Sequence, residues 1–325
     1  MTKRVSPLLS WRRASVLLVL LGAGFMLARL DAREYRELSQ RNLLLLVPAT
    51  LAISLVIVGW GLNWSLVLRS LDRRVGLGRG LAVFLRTWLG RYIPGTIPYH
   101  AARILAAESL GTTKTRVGAS IAYETVLLLG SGALIGCLGV LIGLGAGRSS
   151  LVYLLAAIPL FTVPFALQPR VLVPLANRVL RLVQRPDIRA DSFLSGRQTV
   201  ASFLGYSLFH VVNGLSFVFV LLALQHGGVN LALAIGAYTL AGVAGAVAIF
   251  VPAGIGVREG LLVGLLSSVM SPEEALLAAA TARAVSVIAD VLPLAIVAVV
   301  TLVRRLACIR SSSPAARASP GGRPV

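Results

Sequence analysis

Two short stretches of this sequence place charged side chains directly beside residues that break helices. In 250–260, which reads Phe-Val-Pro-Ala-Gly-Ile-Gly-Val-Arg-Glu-Gly, Arg258 and Glu259 follow a proline and two glycines. In 92–98, which reads Tyr-Ile-Pro-Gly-Thr-Ile-Pro, the break is followed by His100 and Arg103. A helix that restarts after a break begins with unpaired backbone amides, and an arginine beside them adds a bidentate donor for phosphate. The pattern therefore predicts an anion-binding site.

The predicted substrate-binding residues all lie in or next to these two breaks. Arg258 is the first candidate, because an ionisable residue at membrane depth indicates a functional site by default. The full predicted set is Arg91, Pro94, Gly95 and Arg103 at the first break, and Pro252, Gly254, Gly256, Arg258 and Glu259 at the second.

Four more charged residues lie within apolar runs and form a predicted buried charge network: Glu108, Glu124, Arg283 and Asp290. A charge at the centre of a membrane helix costs about 2.5–3.5 kcal/mol on insertion scales, so we expect these groups to pair. For Glu124–Arg283 and Arg283–Asp290 two interpretations stay open: the pairs lock the helices together, or they take part in function. We interpret His210 and Asn213 as hydrogen-bond partners between helices, and Gly236, Gly242 and Gly245 as positions of close packing.

The sequence contains none of the motifs that indicate a common catalytic site. There is no Gly-x-Ser-x-Gly, no His-Glu-x-x-His, no P-loop and no cluster of metal ligands. The two cysteines, Cys137 and Cys308, imply neither a disulfide framework nor a metal site. We therefore expect no enzymatic activity, no metal and no cofactor.

The composition is that of an integral membrane protein. Of the 325 residues, 57% are hydrophobic and 13% are charged, and the mean hydropathy is +0.85, which excludes a soluble domain. Six apolar runs are long enough to cross a bilayer: 14–30, 43–68, 117–145, 151–167, 199–224 and 275–303. The net charge of +19 comes largely from arginines between these runs, as the positive-inside rule describes, so it indicates topology and not nucleic-acid binding.

The two breaks divide the chain into similar halves. Pro94 and Pro252 are 158 residues apart, and each break interrupts a pair of short apolar segments, which predicts re-entrant hairpins at about 81–110 and 231–270. The arginine distribution gives the halves opposite orientations, which is an inverted repeat. We predict an all-α polytopic membrane protein with about six full spans plus the two hairpins. Its segments are a cytoplasmic N-terminus at 1–13, a transmembrane domain at 14–303 with halves at about 43–146 and 199–303, and a disordered cytoplasmic tail at 304–325.

These residues resemble the lysylphosphatidylglycerol synthase transmembrane family, a flippase-like group. The resemblance covers about residues 10–305 and is carried by Arg91-Tyr-Ile-Pro-Gly95, Arg103, Glu124, Phe250-Val-Pro-Ala-Gly-Ile-Gly-Val-Arg-Glu259, Arg283 and Asp290. The chain departs from the family pattern in segment 96–100 and at Ala253, where the family commonly has a second glycine. Only a short tail follows Val303, so the resemblance is to a stand-alone member without the aminoacyltransferase domain of the fused synthases.

The resemblance implies that the protein moves a lipid between leaflets. The leading hypothesis is a flippase-like transporter of an anionic, phospho- or polyprenyl-linked lipid in the cytoplasmic (inner) membrane, with both termini in the cytoplasm. The alternative is a non-transporting scaffold that presents a lipid to a membrane glycosyltransferase or aminoacyltransferase, which would be its protein partner. A membrane-embedded enzyme that acts on lipid headgroups is a third hypothesis. No nucleic-acid partner is expected.

Overall fold

The structure, a computed structural model, describes residues 42–92, 97–145, 194–226, 230–248 and 251–311, together with the single positions 178 and 228. Within these ranges the regular structure is helical throughout, without a strand, which confirms the predicted all-α class. The predicted spans 14–30 and 151–167, the N-terminal segment 1–13 and positions 312–325 of the tail lie outside the described residues.

Nine α-helices account for most of the described residues. In chain order they are α1 (Leu46–Leu71), α2 (Leu77–Trp88), α3 (Ile97–Leu105), α4 (Ala107–Leu110), α5 (Lys114–Leu144), α6 (Gly196–Ala223), α7 (Leu231–Val247), α8 (Val257–Leu266) and α9 (Pro272–Ser311). Short 3-10 segments lie at Leu43–Leu45, Leu89–Tyr92 and Pro252–Gly254. Four stretches are long and apolar enough to cross a membrane, namely Leu43–Leu71, Lys114–Leu144, Gly196–Ala223 and Pro272–Ile296, and they correspond to four of the six predicted spans.

The order of elements repeats along the chain. A long helix is followed by an interrupted pair of short helices and then by a second long helix, first in α1 to α5 and again in α6 to α9. Helix α5 begins at Lys114 and α9 begins at Pro272, which is the same offset of 158 that separates Pro94 from Pro252. The structure therefore shows a repeated order of helices, while the inverted repeat, with its opposite orientation of the halves across a membrane, stays a prediction.

Helices α5 and α7 contact each other more closely than large side chains would allow. A Cβ atom at Gly139 would lie 2.6 Å from both the Gly236 Cα atom and the carbonyl oxygen of Ala232. Three further glycines extend this stripe along α5: Gly132, Gly136 and Gly143. Close backbone contact is a main source of helix association in lipid, so the packing role predicted for Gly236 is confirmed. The space beside Gly242 is open.

A polar contact joins two loops at the ends of α1 and α4. Asp72, which follows α1 and is 7% exposed, accepts hydrogen bonds from Thr112 Oγ1 at 2.8 Å and from Arg116 Nη1 at 2.6 Å. Desolvation works to raise the pKa of Asp72, but the hydrogen bonds from Thr112, the Arg74 amide and Arg116 outweigh it, so the pKa lies below its usual value. The ionised carboxylate thus fastens the first hairpin to the end of α1.

Candidate functional site

A cavity of about 540 Å³ lies within the helix bundle, and both halves of the chain line it. The two interrupted segments meet beside it, since the 3-10 segment Leu89–Tyr92 contacts the 3-10 segment Pro252–Gly254. The volume falls within the range of roughly 300–1,000 Å³ that is common for small-molecule sites. Tertiary packing has therefore brought the two predicted breaks to one place.

The lining is mostly apolar and aromatic, with a small number of charged and polar groups. The aromatic members are Trp60, Trp88, Tyr92, Tyr99 and Tyr238. The charged members are Arg91, Glu124, Arg258, Arg283 and Asp290, and the neutral polar members include His100, His210 and Asn213. Such a composition is typical of a ligand site whose few polar groups fix the orientation of the ligand.

The first ion pair of the site joins Arg103 on α3 to Glu124 on α5. Arg103 Nη1 lies 2.5 Å from Glu124 Oε2, and the two residues are 0% and 4% exposed. Three rings surround the guanidinium, with centroids 4.2 Å away for Tyr99, 4.9 Å for Trp64 and 5.0 Å for Phe84. Arg103 is fully buried and absent from the cavity lining. It therefore does not face the cavity, and its role is to fix the positions of Glu124 and the first hairpin.

The second ion pair joins the first break to the last helix. Asp290 on α9 accepts hydrogen bonds from Trp88 Nε1 at 2.8 Å and from the Tyr92 hydroxyl, and it lies 3.9 Å from Arg91 Nη1. The Arg91 guanidinium also lies over the Trp88 ring, 4.6 Å from its centroid. With both of its oxygens bonded, Asp290 anchors the end of α2 and the residues that carry Arg91.

The third ion pair lies within the second half, and it corrects the predicted pairing. Arg283 Nη1 lies 3.7 Å from Glu259 Oε1 and donates to the carbonyl oxygen of Ala253 at 3.3 Å. The predicted pairs Glu124–Arg283 and Arg283–Asp290 are therefore wrong, since Glu124 pairs with Arg103 and Asp290 with Arg91. The reason is the rotation of the long helices, which turns Glu124 toward the first hairpin and Asp290 toward the first break.

Arg258 differs from these arginines because no carboxylate among the described residues lies within 4.0 Å of it. Its guanidinium stacks on Tyr238, 4.6 Å from the ring centroid, and it lines the cavity. Within the part of the chain that the structure describes, the site contains four arginines and three acids, and the three ion pairs leave one formal positive charge. That charge belongs to Arg258.

The second break has a strained backbone and uses its own carboxylate as a cap. Ala253 adopts φ +48° and ψ 26°, a left-handed conformation that only glycine adopts without cost. Gly254 follows with φ +66°. Glu259 Oε2 accepts a hydrogen bond from the Gly256 amide at 2.7 Å. One of the backbone amides at the start of α8 is therefore already bonded within the chain. The predicted anion site at the α8 amides is therefore partly occupied, and the neighbouring Arg258 has no carboxylate within 4.0 Å among the described residues.

The structure brings some predicted residues into the cavity and places others elsewhere. Arg91, Gly254 and Arg258 line it, as do the network members Glu124, Arg283 and Asp290, whereas Arg103, Gly256 and Glu259 do not. Pro94 and Gly95 lie outside the described residues, and Pro252 is described as part of its 3-10 segment. The prediction for Glu108 is wrong, because its side chain is exposed on the short helix α4 and not buried in the network.

The sequence reasoning missed the aromatic groups that hold and cover the arginines. Trp88 and Tyr92 bond Asp290, and Tyr238 stacks on Arg258. A local signal existed for the first two, since Trp88 and Tyr92 lie four positions apart, which is a helical spacing, on either side of Arg91. Tyr238 is 20 positions before Arg258, and only the folding of α7 against α8 brings the two together.

Helix α6 contributes a neutral polar group to the same cavity. His210, 5% exposed, has Nε2 at 2.9 Å from the carbonyl oxygen of Leu128 on α5, which confirms its predicted hydrogen bond between helices. Its ring lies 5.6 Å from that of Trp60 on α1. Asn213, one turn further along, lines the cavity without a side-chain hydrogen bond to the described residues.

Comparison with known protein families gives a match over most of the chain. The family model described as lysylphosphatidylglycerol synthase TM region matches residues 13–293, which includes the first half, the second half as far as 293, and all the lining residues named above. A search of curated proteins found no match to this chain.

Proposed function

We propose that this chain, which belongs to the lysylphosphatidylglycerol synthase transmembrane family, binds an anionic lipid headgroup in its central cavity and moves the lipid between leaflets. The chain is a multi-pass membrane protein of a family related to lipid handling. The observation that carries the proposal is Arg258, a cation that lines the cavity without a carboxylate partner among the described residues.

The charge balance of the site supports an anionic ligand. An arginine inside a membrane is normally paired, because an isolated charge there is costly. Arg91, Arg103 and Arg283 each lie within 4.0 Å of a carboxylate, whereas Arg258 stacks on the ring of Tyr238 and has no carboxylate that close among the described residues. A lipid phosphate would supply the missing negative charge, and the planar guanidinium suits two of its oxygens at once.

The location of the cavity supports movement of a lipid. It lies where the two interrupted segments meet, and interrupted helices at the junction of two repeats commonly form the central site of a transporter. The strained backbone at Ala253 and the direct contact between the two 3-10 segments couple the halves at that point. A change in the packing of one half against the other would alter access to the cavity, which is the basis of alternating access.

A scaffold that holds a lipid for a membrane glycosyltransferase or aminoacyltransferase is the second candidate. It would use the same headgroup site but would need no passage between leaflets, so binding would occur without movement. Neither candidate requires catalysis by this chain, and our proposal assigns it none.

The experiment that tests the proposal measures lipid movement in liposomes that contain equal amounts of purified protein. The probe is tail-labelled phosphatidylglycerol, whose outer-leaflet fraction is read by chemical quenching. Arg258→Gln is expected to lower the rate at least tenfold, because the site loses its free charge. Arg258→Lys should also lose most of the rate, since lysine keeps the charge but lacks the planar fork.

Arg86→Lys is the matched control, because Arg86 lies exposed on α2 and outside the cavity. Wild-type rates from both Arg258 variants would remove this residue from the site. Arg258-dependent binding of the probe without any movement by the wild-type protein would favour the scaffold.

We further propose that the protein lies in the inner membrane with both termini in the cytoplasm. The supporting observation is the excess of arginine in the loops assigned to that side of the membrane. This topology places Glu273, at the start of α9, on the exterior side of that membrane. A cysteine at that position should react with an impermeant thiol reagent in intact cells, and labelling only after permeabilisation would contradict the topology.

A further inference from the structure

We infer that this protein carries one net negative charge across the membrane with each lipid, so that the membrane potential drives the lipid out of the cytoplasmic leaflet. The inference rests on the proposed function, in which Arg258 binds a lipid phosphate, and it adds a source of energy. It follows from the formal charge of the site with and without its ligand. The empty site carries one positive charge, and the loaded site carries none.

The charge of the empty site is set by the residues at the two breaks and on the helices beside them. In the described part of the chain, three ion pairs neutralise every arginine of the site except Arg258. The residues of the breaks that the structure does not describe, 93–96 and 249–250, have no ionisable side chain in the sequence. These residues therefore add no charge to the site.

A bound phosphodiester makes the site neutral. It brings one negative charge, and the guanidinium of Arg258 brings the positive charge that matches it. The three ion pairs stay as they are, because each is already neutral. The membrane potential therefore does no work on the loaded site when access changes from one side to the other, whereas it acts on the empty site as on one elementary charge.

Arg258 lies beside a tight backbone contact where the potential can fall over a short distance. A Cβ atom at Gly254 would lie 2.5 Å from the Gly245 Cα atom, and a Cβ atom at Gly245 would lie 3.2 Å from the Arg258 Cβ atom. Backbones this close leave no room for water between them. When access alternates, Arg258 is connected to the solution on one side and then on the other, which is equivalent to moving its charge through the potential.

The ion pairs argue against a proton that travels with the lipid and cancels its charge. Such a proton would have to bind an acid of the site, and each acid lies within 4.0 Å of an arginine. Protonation would leave that arginine unpaired inside the bundle, which is costly. Arg258 itself is stacked on Tyr238, 4.6 Å from the ring centroid, and this contact stabilises its charge while the site is empty.

The direction of movement follows from the sign of the charge. In the proposed location the cytoplasmic side of the membrane is the negative side, so the potential draws the empty, positive site to face the cytoplasm. The lipid binds there, and the neutral site then opens to the other side and releases it. Each cycle moves one negative charge outward, and the potential therefore favours export.

The first test measures the final distribution of a trace of tail-labelled phosphatidylglycerol in phosphatidylcholine liposomes that contain the full-length protein. The pH is equal on both sides, and valinomycin with a potassium gradient sets the potential. At a gradient of about tenfold, one negative charge per lipid predicts a leaflet ratio of about tenfold in favour of the positive side, in either direction of the gradient. Arg258→Gln should approach this ratio at least tenfold more slowly.

The second test asks whether the loaded site is neutral. With saturating unlabelled phosphatidylglycerol in both leaflets, the site crosses loaded in both directions, so the wild-type exchange rate should not change in a gradient. Arg91→Gln gives the loaded site one negative charge, while Asp290 keeps its bonds to Trp88 and Tyr92. A gradient of about a hundredfold should then slow exchange roughly fivefold, because the potential holds the site on one side.

Arg86→Gln is the matched control for this variant. It removes the same charge from an exposed position on α2 that lies outside the cavity, so its exchange rate should stay independent of the gradient. If Arg91→Gln moves no lipid, the wild-type exchange rate with and without the gradient decides by itself whether the loaded site is neutral.

The outcomes separate this inference from the proposed function. An even distribution in both gradients, with movement that still depends on Arg258, would overturn the inference and leave the proposed function standing, since the lipid would then cross with a compensating ion or in exchange for another anion. Wild-type exchange that slows in the gradient, or unchanged exchange in an active Arg91→Gln variant, would also overturn the inference. Movement of no lipid at all would overturn both.

Discussion

Removing one partner of the Arg103–Glu124 pair should destabilise the protein strongly, and removing both should not. The partners are 0% and 4% exposed and 2.5 Å apart. Two charges whose centres lie about 4 Å apart attract by about 4 kcal/mol at an effective dielectric constant of about 20. A single substitution leaves the other charge buried and uncompensated, which typically costs about 3–5 kcal/mol.

Methionine is the appropriate replacement at both positions. It is long, flexible and apolar, and at position 103 it would contact the three rings that now surround the guanidinium. We expect Arg103→Met and Glu124→Met each to lower the free energy of unfolding by about 3–5 kcal/mol. The loss of unfolding free energy in the double variant should be smaller, by at least about 2 kcal/mol, than the sum of the losses in the two single variants.

The measurement is the free energy of unfolding of the purified protein in mixed detergent, followed by tryptophan fluorescence. The control cycle combines Glu124→Met with Arg283→Met, two residues that have different ion-pair partners in the structure, and its effects should add within about 0.5 kcal/mol. Coupling below about 0.5 kcal/mol in the Arg103–Glu124 cycle, or larger coupling in the control, would refute the pairing described here.

Three further predictions concern the backbone and the loops. Ala253→Gly should raise the free energy of unfolding by about 1 kcal/mol, because the left-handed conformation at φ +48° no longer carries a Cβ penalty; a loss of stability in the same assay would contradict that conformation. Gly139→Ala should lower it by about 1–3 kcal/mol, since its Cβ would meet the α7 backbone, whereas Gly118→Ala on the same helix has open space and should not destabilise. For Asp72, whose pKa is lowered in the folded state, the stabilisation is present above the unfolded pKa and is lost as pH falls through the folded one. The stability difference between wild type and Asp72→Asn should therefore shrink below about pH 4, and a difference independent of pH in thermal unfolding would refute this role of the carboxylate.

The sequence alone determined the class of the protein and the positions of its interruptions. Spans at 43–68 and 117–145 correspond to helices at Leu46–Leu71 and Lys114–Leu144, because apolar length and flanking charge are local properties of the chain. Proline and glycine determine where a helix stops, so the break before Val257 was also readable. The offset of 158 between the breaks reappears between the starts of α5 and α9.

Of the four residues that the sequence predicted for the buried charge network, all but Glu108 belong to the site, but the sequence did not determine their partners. Glu124, Arg283 and Asp290 all line the cavity, as the cost of a charge in lipid requires. Which acid faces which arginine depends on the rotation and depth of each helix, where one residue changes the direction of a side chain by about 100°. Glu124 pairs with Arg103 and not with Arg283. The spacing of these residues in the sequence does not predict that pairing.

Only the tertiary structure decided which arginine of the site lacks a carboxylate partner among the described residues. In the sequence, Arg258 and Glu259 are neighbours and look like a pair. In the fold, Glu259 caps the Gly256 amide and faces Arg283, while Arg258 turns to Tyr238 and the cavity. Successive residues on a helix point in directions about 100° apart. Two residues that are adjacent in the sequence therefore do not face each other on a helix. The charge that defines the site is thus a consequence of packing between α7, α8 and α9, whereas the residues that make it possible were visible in the sequence from the start.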